Sequence, residues 1–82
     1  MSDASPLSAV IRTLAEALVD QPEGVRVTET DRRGMTVVEL FPGGGEVGKV
    51  VGRQGRTAAA LRTLLQCTAE FHGRKATLEI RD

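Results

Sequence analysis

Aromatic residues are nearly absent from this chain. Phe41 and Phe71 are the only two, and there is no tryptophan or tyrosine. A sheet that reads nucleic acid by stacking several bases on rings is therefore not built here. There is one cysteine, Cys67, so no intrachain disulfide framework exists, and with one histidine, His72, no structural zinc site can be assembled from these residue types. No net charge is present either: eleven basic residues balance eleven acidic ones. That balance speaks against a binder driven by overall charge. No apolar run reaches the length of a membrane span. Asp3 stands where a secretory signal would be positive, and Arg12 and Glu16 interrupt the following apolar stretch. A cytoplasmic chain is the resulting expectation. No paired catalytic carboxylates and no nucleophile–base constellation stand out, so no enzyme, metal site or cofactor is expected.

What is present suits one small domain. The chain has 82 residues, 40% hydrophobic and 27% charged, an ordinary globular balance. Residues 1–5 are expected to be a disordered extension ahead of it. Ser5-Pro6 offers an N-cap and a first helical residue. Val10, Ile11, Leu14, Ala15 and Leu18 then recur at helical spacing as far as Pro22 and Gly24. Val25 to Thr30 alternates as a half-buried strand. Asp31-Arg32-Arg33-Gly34 reads as a hairpin turn and Met35 to Phe41 as the return strand, in which adjacent Val37 and Val38 suggest cover on both faces. Pro42-Gly43-Gly44-Gly45 breaks that strand and predicts a loose connection to a short helix, Glu46–Val51. Thr57 to Phe71 is the strongest helical pattern, with Leu61, Leu64, Leu65, Thr68 and Phe71 as its expected inner face and Cys67 as a small buried residue. Gly73 stops it, and Lys75 to Arg81 alternates as a last strand. The order is αββααβ: a three-stranded mixed sheet, its third strand parallel to the second, with three helices on one face.

The chemistry concentrates in Val47-Gly48-Lys49-Val50-Val51-Gly52-Arg53-Gln54-Gly55-Arg56. Lys49, Arg53, Arg56 and Arg62 lie between Val47 and Ala69, and no acid lies there. Gly52 and Gly55 lack a Cβ, so a phosphate backbone can approach closely and the chain can turn sharply. The helix starting behind them presents free N–H groups and the positive end of its dipole. Arg53 and Gln54 project at the loop tip, with Lys49 and Arg56 beside them. Val47, Val51 and Ala59 offer an apolar floor for bases, and Val50 belongs to the core. Two other glycine patterns are set aside. Gly43-x-Gly45-x-x-Gly48 fits a dinucleotide fingerprint, yet Gly52-x-x-Gly55 interrupts the helix that fingerprint needs. Gly43 through Lys49 spells most of a P-loop, but Val50 stands where Ser or Thr must reach Mg²⁺.

Element order and Val50-Val51-Gly52-Arg53-Gln54-Gly55 together resemble a KH domain of the second topological type, over nearly the whole chain. Asp20-Gln21-Pro22-Glu23 and Gly48 through Arg56 resemble in particular the small bacterial single-KH proteins of the KhpA (YlqC) family. The resemblance implies a non-catalytic module that grips about four nucleotides of single-stranded RNA, with single-stranded DNA as the lesser ligand. Its implied site is Gly48, Lys49, Val51, Gly52, Arg53, Gln54, Gly55 and Arg56, and its implied role is RNA chaperone or post-transcriptional regulator. The alternative it implies is an interaction subunit that forms homodimers, or heteromers with a larger KhpB or Jag-like protein, in control of cell elongation and division. One departure is visible. Members of the family usually enter the first core helix through a proline and an acidic residue, whereas here Gly43-Gly44-Gly45-Glu46 does so and predicts a poorly capped start.

Overall fold

A computed structural model describes residues 5–82. Helix α1 spans Pro6–Leu18. Ser5 caps it, its Oγ accepting from the backbone N–H groups of Leu7 and Ser8. The rest of the expected N-terminal extension, residues 1–4, lies outside the described residues. A 3₁₀ turn, Pro22–Gly24, leads to strands β1 (Arg26–Arg32) and β2 (Met35–Phe41). Helix α2 (Val47–Val51), a second 3₁₀ turn (Arg53–Gly55), helix α3 (Arg56–Phe71) and strand β3 (Lys75–Ile80) follow. The αββααβ order is therefore as the sequence predicts.

The sheet order is β1-β2-β3. β1 and β2 pair antiparallel from Arg26↔Phe41 to Arg32↔Met35. That register leaves only Arg33 and Gly34 in the turn, two residues fewer than the sequence suggested. Both have positive φ, 55° and 84°, which makes a type I′ turn whose twist matches the strands. β2 and β3 pair parallel from Met35↔Lys75 to Leu40↔Ile80. The parallel pairing requires a long crossover, and α2, the 3₁₀ turn and α3 provide it.

The helices cover one sheet face. Leu7, Ile11, Val38, Leu40, Val50 and Leu65 are wholly buried between the layers. Two helical faces are rotated from their expected positions. On α1 the buried set is Leu7, Ser8, Ile11 and Ala15, while Leu18 is exposed. On α3 it is Ala58, Leu61, Leu65 and Ala69, an i, i+3/i+4 stripe that meets β3 and α1. Leu64 and Phe71, expected inside, are 46% and 86% exposed, and Cys67 is exposed too. Small alanines at 58 and 69 complete the buried stripe with Leu61 and Leu65. Val37 is buried on the opposite sheet face. Its strand neighbours there are Thr30 and Thr77.

Glu29 is a polar residue on the helix-facing side of β1. It accepts hydrogen bonds from the Ser5 and Ser8 hydroxyls and from Arg74 Nη2 at 3.2 Å. Arg74 also donates to Thr36 Oγ1 at 2.9 Å. This network ties α1, β1 and β2 to the start of β3. Burial works to raise the Glu29 pKa, but the bonds from Ser5, Ser8 and Arg74 outweigh it and hold the carboxyl below its usual value of 4.5. A carboxylate with a lowered folded-state pKa stabilises above its unfolded pKa and loses that contribution as pH falls through the folded one. Thermal unfolding should therefore show wild type more stable than Glu29→Gln at neutral pH. The gap should close as the pH drops well below 4.5. A gap constant with pH would contradict this role.

Candidate nucleic-acid interface

The glycine loop forms where α2 stops. Gly52 N–H bonds back to Gly48 C=O at 2.9 Å, and Gly52 then takes φ 76°, ψ 174°. Gln54 follows at φ 57° and Gly55 at φ 73°. Three of the four loop residues thus have positive φ, a conformation that glycine adopts freely and glutamine only at a cost of roughly 1–2 kcal/mol. Gly55 N–H closes the turn on Gly52 C=O at 3.1 Å. The winding leaves Arg53, Gln54 and Arg56 exposed around the start of α3. No side chain caps that helix. Arg56 N–H donates to Arg53 C=O within the 3₁₀ turn, and the positive end of the α3 dipole lies beside the loop, where it favours an anion.

Gly52 is constrained twice. A Cβ there would lie 2.2 Å from Thr57 Oγ1, 2.7 Å from Thr57 Cβ and 3.0 Å from Thr57 N. The loop backbone is therefore pressed against the first turn of α3, and Thr57 is a site residue that the sequence pattern did not single out. Gly55, by contrast, has open space where a Cβ would be. Its glycine is required by conformation alone.

The flanking residues divide. Val50 is wholly buried and anchors α2 to the core. Val47 and Val51 are half-buried on the same short helix, while Gly48 and Ala59 are exposed. Lys49 is less free than its place in the basic stretch implies. Its Nζ lies 3.2 Å from Asp20 and 3.8 Å from Glu46. Of the loop-side cations, Arg53, Arg56 and Arg62 form no salt bridge among the described residues.

Glu46 explains how the glycine-rich approach is held. The residue is buried, and its carboxylate accepts from Asp20 N–H at 3.1 Å and Gln21 N–H at 3.0 Å. It occupies the N-cap position of α2 but gives that helix no side-chain bond, so the weak cap that the sequence predicted is present. The carboxylate instead satisfies the donors left after α1. Pro42 is fully buried, and Glu46 N–H bonds to Gly43 C=O at 3.1 Å. The approach to α2 is consequently a fixed turn rather than the loose connection that three glycines suggested. A lone acidic residue between a glycine run and an apolar helix was the available signal.

Comparison with known proteins agrees with this geometry. A family model for the KH domain of KhpA and KhpB matches residues 8–80. The chain is 42% identical over 76 residues to a protein of Aquifex aeolicus named RNA-binding protein KhpA, covering 93% of this chain and 96% of that one. It is also 42% identical over 73 residues to the Treponema pallidum protein of the same name, covering 89% and 91%. Among solved structures it resembles a variant of Aquifex aeolicus Era bound to GDP and aluminium fluoride. That match has a TM-score of 0.61 and 16% identity, and covers 90% of this chain but 29% of Era. At that identity it speaks for the fold only. With an α+β sheet of matching order, a glycine loop between two helices and relatives aligned over nearly their full length, the chain belongs to the KhpA/KhpB family of KH domains.

Proposed function

We propose that this protein binds single-stranded RNA without catalysis, gripping about four nucleotides at the Gly52–Gly55 loop as KH modules do. The observation that carries this is the pairing of a positive-φ backbone with an uncapped helix start, ringed by unpaired Arg53 and Arg56. The names of the relatives support the ligand class. Gly48, Lys49, Val51, Gly52, Arg53, Gln54, Gly55 and Arg56 are its proposed contacts, Lys49 through exchange of its Asp20 partner for phosphate. With so few phosphates engaged, one site binds weakly and with a shallow salt dependence. The role we assign is RNA chaperone or post-transcriptional regulator in the cytoplasm. No helix of the described residues is long and apolar enough to cross a membrane.

The test is the double change Arg53→Asp with Gln54→Asp. Both side chains are exposed and make no intramolecular bond among the described residues, so the fold should persist. Affinity for a short single-stranded RNA should fall at least about tenfold, since two acids replace a cation at the phosphate. Wild-type affinity in the double variant, at matched salt, would remove the proposal.

A second reading, that the chain works as an interaction subunit, is favoured by one surface. Ala60, Leu64, Cys67 and Phe71 follow one another at steps of four, three and four along the exposed side of α3. This is the spacing of a helix-pairing seam. We assign this face to self-association or to pairing with a larger KH protein of the KhpB or Jag-like kind. Dimerisation would add a second weak clamp at high effective concentration. Leu64→Glu with Phe71→Glu should give a monomer by sedimentation under conditions where wild type associates; equal sedimentation would reject the assignment.

A further inference from the structure

The domain has a second basic end. The Gly52–Gly55 loop and α2 follow the C-terminal end of β2. α3 then runs 16 residues, about 24 Å at helical rise, to the N-terminal ends of β2 and β3. There the Arg33–Gly34 turn meets the α3–β3 connection, and Arg32, Arg33, Arg74 and Lys75 gather. They are four of the chain's eleven cations. Of the seven cations outside the basic stretch around the glycine loop, four thus lie at the far pole. Arg33, Arg74 and Lys75 line an open hollow of about 550 Å³ with Asp31, Thr36 and Gly73. A smaller hollow of about 200 Å³ shares Met35, Arg74 and Lys75 with it and continues along α3 past Gln66. The two make one trough leading from the middle of α3 to the hairpin turn.

Two features make this more than a solvated patch. First, Arg33 and Lys75 have no salt-bridge partner among the described residues, whereas Arg74 is fixed by Glu29 and Thr36. One cation is therefore pre-positioned and two are free to engage a ligand. Second, the two residues other than glycine with positive φ in the described chain are Gln54 and Arg33. One is at the tip of the glycine loop and the other at the tip of this turn. The first position of a type I′ turn favours Asn, Asp or Gly. An arginine held there is a strained backbone of the kind that accompanies ligand sites.

We infer that this trough is a second RNA-backbone site, in which Arg33, Lys75 and the anchored Arg74 take phosphates of the same single strand beyond the nucleotides held at the glycine loop. The inference rests on the RNA-binding function proposed above. Asp31 and Glu70 are the opposing charges that line the trough, and they limit its affinity. A strand long enough to reach both poles is held at two places, and a short one only at the loop.

The test is the double change Arg33→Asn with Lys75→Gln. Arg33→Asn places the residue type that a type I′ turn prefers, so folding is not endangered. Binding is titrated with single-stranded RNAs of about five and about twenty nucleotides over a range of salt. Wild type should bind the longer RNA with the steeper salt dependence. The double variant should match wild type on the short RNA within about twofold. It should lose about tenfold on the long one, with a slope shallower by about 1.4 for two lost phosphate contacts. Asp31→Asn alone should tighten only the long RNA. Equal losses on both lengths, or no loss on either, would overturn the second site while leaving the loop proposal standing. Failure of wild type to bind either RNA would overturn both.

Discussion

Gly52→Ala should abolish RNA binding and destabilise the fold by about 3 kcal/mol. Roughly 1–3 kcal/mol comes from forcing a residue with a Cβ to φ 76°, ψ 174°. A further 1–3 kcal/mol comes from the overlap with Thr57, which includes its backbone nitrogen at 3.0 Å. A side-chain rotation could relieve the contact with Oγ1, but Cβ and N can move only if the first turn of α3 moves. The loop and the helix start that form the proposed clamp would then separate, so binding should be lost even in the molecules that remain folded. Gly55→Ala is the informative comparison. Its φ of 73° and ψ of 13° lie in the left-handed region, which costs a side chain less than the φ 76°, ψ 174° of Gly52, and its Cβ meets no atom within 4 Å. Urea unfolding should rank wild type above Gly55→Ala and Gly55→Ala above Gly52→Ala. Equal losses for the two alanines would show that close approach of Gly52 to Thr57 contributes nothing.

The second large effect is expected at Glu46, far from the loop tip. Glu46→Ala removes the acceptor of two backbone N–H groups, those of Asp20 and Gln21. Hydrogen bonds to a charged group contribute about 1.5–3 kcal/mol, and donors left without a partner add a desolvation cost, so a loss of about 3 kcal/mol is expected. Glu46→Gln keeps one carbonyl oxygen and should recover part of it. In denaturant the midpoint should fall with little change in slope, because the same surface is exposed on unfolding. The carboxylate also holds the start of α2 against the turn after α1. RNA affinity should therefore fall in Glu46→Ala although no contact residue is altered. A variant as stable as wild type would mean that water satisfies those two donors equally well.

Much of the fold was legible in the sequence because it rests on local signals. Ser5-Pro6 announces α1, Gly34 the hairpin and Gly73 the end of α3. Gly73, at φ 69°, and Arg74 N–H bonded to Ala69 C=O at 2.8 Å complete a Schellman-type end. Element order followed from these punctuation marks, and the loop from Gly52 and Gly55. What stayed hidden depends on packing between elements. The rotation of α3 could not be read from Leu61, Leu64 and Leu65, because residues 64 and 65 lie about 100° apart and either suits an apolar face. The buried stripe takes Leu65 with Ala58 and Ala69. The pairing of Lys49 with Asp20 joins residues 29 apart, and that of Glu29 with Arg74 joins residues 45 apart. Charge counting along the chain therefore overstated the free cations near the loop and missed those at the far turn.

The parallel pairing of β2 with β3 also governs how the clamp comes into being. The β1–β2 hairpin closes over two residues and can form early, but Met35 meets Lys75 across a sequence separation of forty. Contacts of such separation are the slow ones, since chain entropy is lost before they return any stability. α2, the glycine loop and the first turn of α3 all lie inside that span. We therefore expect the proposed RNA-contacting loop to reach its final geometry together with the sheet.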